Sequence, residues 1–498
     1  MLYLAYMLTK FFPELKNNKI CGGINKLFSS KHFAIVIALL TLLSNLFSLE
    51  LPVLYAFALI VVIAVLFCDD LFCAVPMACC SYFTFSRKNN PLSQNGTSVF
   101  LEQGVFTQLM VIVAIVAVFA ITRLLFAFFT QKQRRKTPPK LTLGFAALGL
   151  SYVLGGCFSG YYGVSTAAFG FLQIAAISFS YFFFFITVDP KKFDKEYFAY
   201  LMTVIGILLC GEILGMLHFS GFFTSTEGFQ RGNLYTGWGI YNNVAGAMIM
   251  CLPAPFYYAA TKKHGWRYLI LGNVFLLALL LTQSRGGILF GLVIYAVCVA
   301  TVLLKTSPKE TAPLCRVEIV FCLCAIALVL LFSDKLQNLF MSLLNSGMND
   351  SGRFKIYANG LLQFLESPLF GNGFYACDAY RWGDKTLGSF LPARYHNTFV
   401  QLLASGGVTA FCAYLYHRAQ TVRLLLKKSS IERYFMGLCI LGLLLTSLLD
   451  CHFFNFGPGF TYSALLLFME IDHRKTNSLP LSKCKNGNSI FAKLLSTV

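Results

Sequence analysis

Long apolar runs recur along almost the whole chain, and they restrict its fold more than any other feature. A helix needs about 17–25 residues to cross a bilayer. Charged residues make up only 12% of the chain, about half the share usual in soluble proteins. The sequence therefore predicts an all-α fold, a polytopic transmembrane helical bundle of about 12–14 spans. Fourteen runs stand out, at 33–49, 51–68, 70–86, 105–129, 141–159, 163–187, 197–218, 243–260, 268–283, 287–304, 317–333, 397–416, 434–450 and 458–471, of which 70–86 and 458–471 are the weakest.

The lysines and arginines predict the orientation of the chain in the membrane. With residues 1–32 inside, the segments that return to the cytoplasm hold 29 of the 40 Lys and Arg residues, and the outer segments hold ten. Arg123 is the remaining one, and we expect its side chain to reach the inner interface. Cytoplasmic loops are enriched in Lys and Arg, so this distribution accounts for the net charge of +19 without a nucleic-acid partner. We expect both termini on the cytoplasmic side of the cytoplasmic membrane.

The chain is predicted to have four parts. Residues 1–32 form a cytoplasmic segment without a cleavable signal peptide, and 33–196 form the N-terminal transmembrane helices. Residues 197–471 form a second transmembrane region with one large extracytoplasmic loop at 334–396, and 472–498 form a cytoplasmic tail. The 17 cysteines lie mainly in apolar runs, without the spacing of a disulfide framework or a zinc site.

The large outer loop is the longest interruption of the apolar pattern, and it is where we expect chemistry. Its segment SGRFKIYANGLLQFLESPLFGNGF predicts a short amphipathic helix from about Arg353 to Leu365, broken by Pro368 and followed by a turn at Gly371 and Gly373. Such a helix can lie along the membrane surface. Arg353 would then lie near the lipid headgroups, as a ligand-binding side chain or as a solvated surface arginine.

Two further outer segments carry polar candidates. In TQSRGG, Arg285 joins two apolar runs, so its guanidinium is held at the outer membrane boundary, where it can bind a phosphate through two hydrogen bonds or serve as an interfacial anchor. The loop 219–242 contributes Arg231 and leads to Asn242 and Asn243, which can also cap the next helix.

The loop ends in LPARYHNTF, which places Arg394, His396 and Asn397 at the outer entry of a span. A histidine there can cap the helix or bond to a carbonyl, but histidine is also the side chain that accepts a proton near neutral pH. Asp450 and His452, in DCHFF, are weaker candidates on the same predicted face. Three separate segments thus bring Arg285, Arg353 and His396 to one side of the membrane.

These motifs resemble the O-antigen ligase and O-antigen polymerase superfamily of membrane glycosyltransferases. The matching elements are the asparagines around Asn243 before CLPAP, TQSRGG, SGRFKIY, SPLFGNGF and HNTFVQLLASGG, and they cover roughly residues 200–450. The resemblance implies an enzyme of cell-surface polysaccharide biosynthesis that uses undecaprenyl-diphosphate-linked glycans. It also implies that Arg285 and Arg353 hold the lipid diphosphate and that His396 lies beside the acceptor hydroxyl.

The resemblance further implies inversion at the anomeric carbon and an acceptor that is a carbohydrate, a lipid or a protein. Arg231, Asn243, Arg394 and Asn397 are then candidate substrate-binding residues. We expect no cofactor and no metal, because preorganised arginines can stabilise the leaving diphosphate and the outer carboxylates lack ligand spacing.

Two other classes of protein remain as alternatives. A lipid-linked oligosaccharide flippase or another transporter would show charged or discontinuous spans around a central cavity, whereas the spans here hold few charges beyond Arg123 and Glu212. A structural membrane subunit would leave the clustered outer arginines unexplained.

Overall fold

The computed structural model describes residues 19–68, 70–85, 103–130, 138–190, 193–219, 234–237, 239–331, 353–374, 395–427, 430–454 and 456–478. These residues are almost entirely helical, which confirms the predicted all-α fold. The helices are α1 Lys19–Phe28, α2 Phe33–Phe47, α3 Glu50–Phe67, α4 Ala74–Ser81, α5 Gln103–Thr130, α6 Thr142–Val153, α7 Val164–Thr187, α8 Tyr197–Phe219, α9 Tyr241–Cys251, α10 Pro253–Thr261, α11 Trp266–Leu281, α12 Arg285–Lys305, α13 Pro308–Leu331, α14 Arg353–Glu366, α15 Thr398–Leu426, α16 Ile431–Thr446 and α17 Phe456–Ser478. The strands β1 Tyr235–Thr236 and β2 Gly239–Ile240 pair antiparallel, and a short 3₁₀ helix spans His452–Phe454.

The chain divides into two compact units. The first comprises Met1–Pro138 and Phe182–Leu339, and the second comprises Pro139–Tyr181 and Phe340–Val498. Helix α7 therefore contributes its last residues to the first unit and its earlier part to the second.

In the first unit, α8 lies among α2, α9, α10 and α11. Its apolar residues are buried over almost its whole length. Gly206 allows the ring of Phe275 to pack directly on α8, because a Cβ at this glycine would lie 2.2 Å from the ring. This close packing surrounds a single charged side chain, Glu212, which is 0% exposed.

In the second unit, α15 packs against α6, α14 and α17. The hydroxyl of Ser463 in α17 donates to the carbonyl of Ile177 in α7 at 2.8 Å, which joins these helices within the apolar interior. The Nε of Arg433, near the start of α16, lies 2.7 Å from Oδ2 of Asp472, near the end of α17. This buried ion pair joins the two helices.

Seven helices among the described residues are long and apolar enough to cross a membrane, or eight if the bent pair α1 and α2 forms one span. They confirm a polytopic membrane protein, although fewer helices meet this criterion than the 12–14 spans predicted. The run 70–86 yields only the eight-residue α4, and 141–159 yields the twelve-residue α6, which ends two residues before Gly155 and Gly156. The run 243–260 contains two helices, which meet at Leu252 and Pro253 and together form one of the seven candidate spans, Tyr241–Thr261.

The side chain of Arg123 lies inside the protein and not at the predicted inner interface. It is 3% exposed, and its Nη2 donates to the carbonyl of Cys68 at 3.0 Å. The guanidinium therefore satisfies a carbonyl at the end of α3 instead of extending to an interface.

Candidate functional site

His396 lies one residue before the cap of α15. Its φ of +53° is in the left-handed region, which is uncommon for a residue other than glycine. Asn397 is the N-cap, and its Oδ1 accepts hydrogen bonds from the backbone N–H groups of Phe399 and Val400 at 2.9 and 3.2 Å. The Asn397 Nδ2 donates to the carbonyl of Leu448 at 2.9 Å. The helix cap is thus Asn397, and the ring of His396 is left for another role.

That role involves Asp450, in the connection after α16. The Nδ1 of His396 lies 3.2 Å from Oδ1 of Asp450, and the two side chains are 27% and 13% exposed. Burial raises the pKa of Asp450, but the hydrogen bond from His396 and the charges of His452 and His396 outweigh it, so this pKa lies below its usual range. An ionised Asp450 accepts a hydrogen bond from the N–H at Nδ1, so the lone pair of a neutral His396 ring is on Nε2.

Arg353 is brought to the same place through Tyr357. Arg353 begins α14, and one turn later the hydroxyl of Tyr357 donates to the backbone carbonyl of His396 at 3.2 Å. Burial raises the pKa of Tyr357, the positive charge of Arg353 opposes this, and the negative charge of Asp450 adds to it. The hydroxyl therefore lies within the fields of both Arg353 and Asp450. Asp450 was only a weaker candidate in the sequence, and Tyr357 was not among the residues predicted to form the site.

Helix α14 is held on α15 by close packing. Ile356 and Tyr395 are buried together with Ala404 and pack against Val400. Gly360 lies at the contact, because a Cβ there would be 2.5 Å from Cγ1 of Val400. These contacts fix Arg353 and His396 relative to each other.

The segment SPLFGNG also ties α14 to α15, at a break in the second helix. Gly407 has a φ of +61° and a ψ of −160°, so α15 is not continuous there. The N–H groups of Val408 and Thr409 donate to the carbonyls of Pro368 and Leu369, at 2.8 and 3.2 Å. On the other side of the break, the carbonyls of Ala404 and Ser405 accept from Asn372 and Gly373, at 3.0 and 2.8 Å, so the predicted glycine turn satisfies the broken helix.

The same break bends α15 back on itself. The ring of Phe399 lies 5.9 Å from the ring of Phe411 and 6.1 Å from that of Tyr414, although Gly407 separates them. The run 397–416, predicted as one straight span, is therefore two helical segments that meet at a bend, and the second continues to Leu426.

The candidates of the first unit lie at the starts of α9 and α12. Ser284 is the N-cap of α12 and accepts from the N–H of Gly287 at 3.3 Å, so Arg285 is the first helical residue. The hydroxyl of Ser284 donates to Oδ1 of Asn242 at 2.8 Å, which brings the two helix N-termini together. Helix N-termini favour anions, so the helix dipoles and the charge of Arg285 both favour a negative charge at this place.

The sequence suggests Asn242 and Asn243 as caps of α9, but in the structure neither is the cap. The N-cap of α9 is Ile240, and both asparagines lie in the first helical turn. Asn243 is 9% exposed and packs beside Gly239, where a Cβ would lie 2.8 Å from the asparagine Cβ.

The structure brings Arg353, His396 and Asn397 together in the second unit, and Arg285 and Asn243 belong to the first. Arg231 and Arg394 lie outside the described residues. Within the described ranges, no group of three His, Cys, Asp or Glu side chains could hold a metal ion.

One comparison with known proteins bears on this site. Residues 270–415 match the family model of the O-antigen ligases, which confirms the family resemblance found from the motifs. The matched segment includes Arg285, Arg353, Arg394, His396 and Asn397, whereas Arg231, Asn243 and Asp450 lie outside it. No curated protein matches the chain.

Proposed function

We propose that this chain, a multi-pass membrane protein whose residues 270–415 match the O-antigen ligases, is a membrane glycosyltransferase that moves glycan from a polyprenyl-diphosphate donor to an acceptor hydroxyl. The reaction takes place on the outer face of the cytoplasmic membrane, and undecaprenyl diphosphate is the leaving group. The observation that carries the proposal is the pairing of His396 with Asp450, next to the hydroxyl of Tyr357 on which the charge of Arg353 acts. Arg353 and His396 lie inside the matched segment, and Asp450 lies outside it.

The chemistry is a single displacement at the anomeric carbon. The acceptor oxygen forms a bond to this carbon from the face opposite the leaving group, and the bond from carbon to the diphosphate oxygen breaks with its electron pair on the diphosphate. The configuration at the anomeric carbon is therefore inverted.

His396 is the proposed base in this step. Asp450 holds the hydrogen on Nδ1, so Nε2 takes the proton of the acceptor hydroxyl, and the imidazolium that forms is stabilised by the carboxylate. A positioned base contributes about 10²–10⁴ in rate. Tyr357 and Asn397 act through His396, since Tyr357 donates to the His396 carbonyl and Asn397 donates to the carbonyl of Leu448, two residues before Asp450.

Arg353 and Arg285 are the proposed ligands of the diphosphate. Charge develops on the leaving oxygens in the transition state, and preorganised guanidinium groups stabilise that charge without requiring a metal ion. For Arg285 the N-terminus of α12 adds a favourable dipole. Arg231, Arg394 and Asn243 are proposed to contact the substrates around this centre.

The break in α15 bears on the alternative that the protein is a transporter. In transporters, discontinuous helices leave backbone carbonyls that coordinate substrate or ions. Here the carbonyls of Ala404 and Ser405 and the N–H groups of Val408 and Thr409 are bonded to the SPLFGNG segment. The break therefore supports a structural function, namely holding α14 beside His396.

The test of the proposed function is transfer by the purified protein. The protein in detergent is mixed with a lipid-linked oligosaccharide and candidate acceptors, and new glycosidic bonds are detected by mass spectrometry. A ladder of repeats identifies a polymerase, and a single addition to a lipid or protein identifies a ligase. If the protein in sealed vesicles moves the glycan across the bilayer and no new bond forms, the chain is a flippase and the proposal is wrong.

A further inference from the structure

Glu212 is a carboxyl group enclosed in the first unit. It lies in the middle of α8, is 0% exposed, and neither of its oxygens completes a hydrogen bond. It forms no ion pair with the side chains that the structure describes. Burying an ionised carboxylate without a partner is very costly, so a proton or a cation must neutralise it. An ionisable group inside a membrane helix bundle points to a function.

Two other polar side chains face this carboxyl group. Asn45 of α2 and Thr236 of β1 are 2% and 0% exposed, and both are directed at Glu212. Neither makes a bond of normal geometry with it, and Asn45 Oδ1 and Thr236 Oγ1 also lack hydrogen-bond partners. Four enclosed side-chain oxygens thus have unused bonding capacity. We call Glu212, Asn45 and Thr236 the Glu212 cluster.

Irregular backbone lies beside the cluster and positions Asn45. Asn45 Nδ2 donates to the carbonyl of Phe85 at 3.2 Å, and the same carbonyl accepts from the N–H of Gly237 at 2.9 Å. Gly237 has a φ of +56°, and a Cβ there would lie 2.1 Å from the carbonyl oxygen of Tyr82. Extended chain is thus packed tightly against α2 and α8. Non-helical backbone within a membrane bundle is tolerated where protein encloses it or where it lines a polar site.

We propose that the Glu212 cluster binds a monovalent metal cation, with sodium as the probe. Carboxylate, amide and hydroxyl oxygens, the groups that the cluster holds without hydrogen-bond partners, are ligands that hard cations prefer. The cluster supplies a single carboxylate, so a monovalent ion gives a neutral site. A divalent ion would leave an uncompensated positive charge in the apolar interior.

The position of the cluster gives the cation a defined effect. Thr236 belongs to the two-stranded hairpin, whose second strand, β2, leads directly into α9. In α9, Asn242 accepts a hydrogen bond from the hydroxyl of Ser284, the residue that precedes Arg285. A cation that ties Thr236 to α2 and α8 therefore stabilises the segment that places Arg285. The inference does not depend on the chemistry proposed above, because it predicts binding and stability in the absence of any glycan substrate.

The experiment is thermal unfolding of the full-length protein in detergent, in sodium chloride and in choline chloride of equal ionic strength. A ligand that binds only the folded state raises the melting temperature with its concentration, so the wild type should melt higher in sodium. Glu212→Gln should lose this difference. Glu318→Gln is the matched control, because Glu318 is another acid of the first unit that already accepts from the Tyr295 hydroxyl at 2.7 Å, and it should keep the difference.

Thr236→Val provides a second variant if Glu212→Gln does not fold, and it should weaken the sodium dependence without removing the carboxylate. Isothermal titration of sodium into the wild type measures binding directly. Equal melting temperatures in sodium, potassium and choline, with no heat of binding, would mean that Glu212 holds a proton and would overturn the proposal. A Glu212→Gln protein with the wild-type sodium response would overturn it as well.

Discussion

The Nδ1 of His396 lies 3.2 Å from Oδ1 of Asp450, a residue 54 positions later in the chain. The backbone on both sides of this contact is fixed: the N–H of Thr398 donates to the carbonyl of Ser447 at 3.0 Å, and the N–H of Cys451 donates to Asp450 at 2.8 Å. These bonds hold the start of α15 and the carboxylate of Asp450 in place on the two sides of the contact. This pairing is the basis of the first prediction.

Asp450→Asn should lower turnover by about 10²–10⁴-fold, because a neutral amide neither stabilises the imidazolium nor selects the tautomer with the proton on Nδ1. The rate of glycan transfer and the melting temperature are measured together. Asp194→Asn, at an exposed position, is the control and should behave as the wild type. A folded Asp450→Asn protein with normal turnover would remove Asp450 from the mechanism.

Lysine substitutions test the two arginines. Arg285→Lys and Arg353→Lys keep the charge but lose the planar fork that binds phosphate in two directions. A hydrogen bond to a charged group contributes about 1.5–3 kcal/mol, so each variant should be about ten- to a hundredfold slower. Arg423→Lys, on the exposed face of α15, should be neutral. Full activity of both test variants at normal expression would leave only an anchoring role for these side chains.

The buried His473 predicts how stability changes with pH. Its Nε2 lies 2.7 Å from Lys140 Nζ and its Nδ1 lies 3.2 Å from Arg433. Burial and the charges of Lys140, Arg433 and Lys427 lower its pKa to about 4, against about 6.5 in the unfolded chain. The unfolded state binds the proton first, so stability is lost as the pH falls from about 6.5 toward the folded value.

His473→Gln should therefore reduce the loss of stability on acidification, as measured by melting temperature across this pH range. His264→Asn is a suitable control, because His264 is exposed and has a φ of +57°, a conformation that asparagine tolerates. If the acid dependence is the same in His473→Gln as in the wild type, other groups control it.

Cysteine labelling tests the predicted orientation. On a background without reactive thiols, Asn345→Cys should react with an impermeant reagent added to sealed cells, and Arg135→Cys should not. The distribution of 29 inner and ten outer basic residues is the reason for this expectation. Reaction at position 135 in sealed cells would reverse the topology.

Several elements could be predicted closely because they depend on local pattern alone. The sequence indicated a helix from Arg353 to about Leu365 and the structure has Arg353–Glu366, while the run 197–218 became Tyr197–Phe219. Long apolar or amphipathic periodicity, ended by Pro368 or by a polar segment, specifies such helices without reference to the rest of the chain.

The break in α15 could not be predicted in this way. Apolar residues continue on both sides of Gly407, so the pattern is that of one span. The bend is stabilised by Pro368, Leu369, Asn372 and Gly373, which lie far away in sequence and replace the lost helical hydrogen bonds. The pairing of His396 with Asp450 has the same character, because it joins two connections whose proximity depends on how α15 and α16 pack.

Release of polyprenyl diphosphate from a lipid-linked oligosaccharide is the most direct test of metal-independent transfer with His396 as the base. It is measured with purified protein, an acceptor and excess chelator. We expect that the wild type releases one lipid diphosphate for each new glycosidic bond, that the chelator has no effect, and that a folded His396→Ala protein is slower by about 10²–10⁴-fold. Activity abolished by the chelator would contradict the metal-independent mechanism, and wild-type turnover by His396→Ala would contradict the role of His396 as the base.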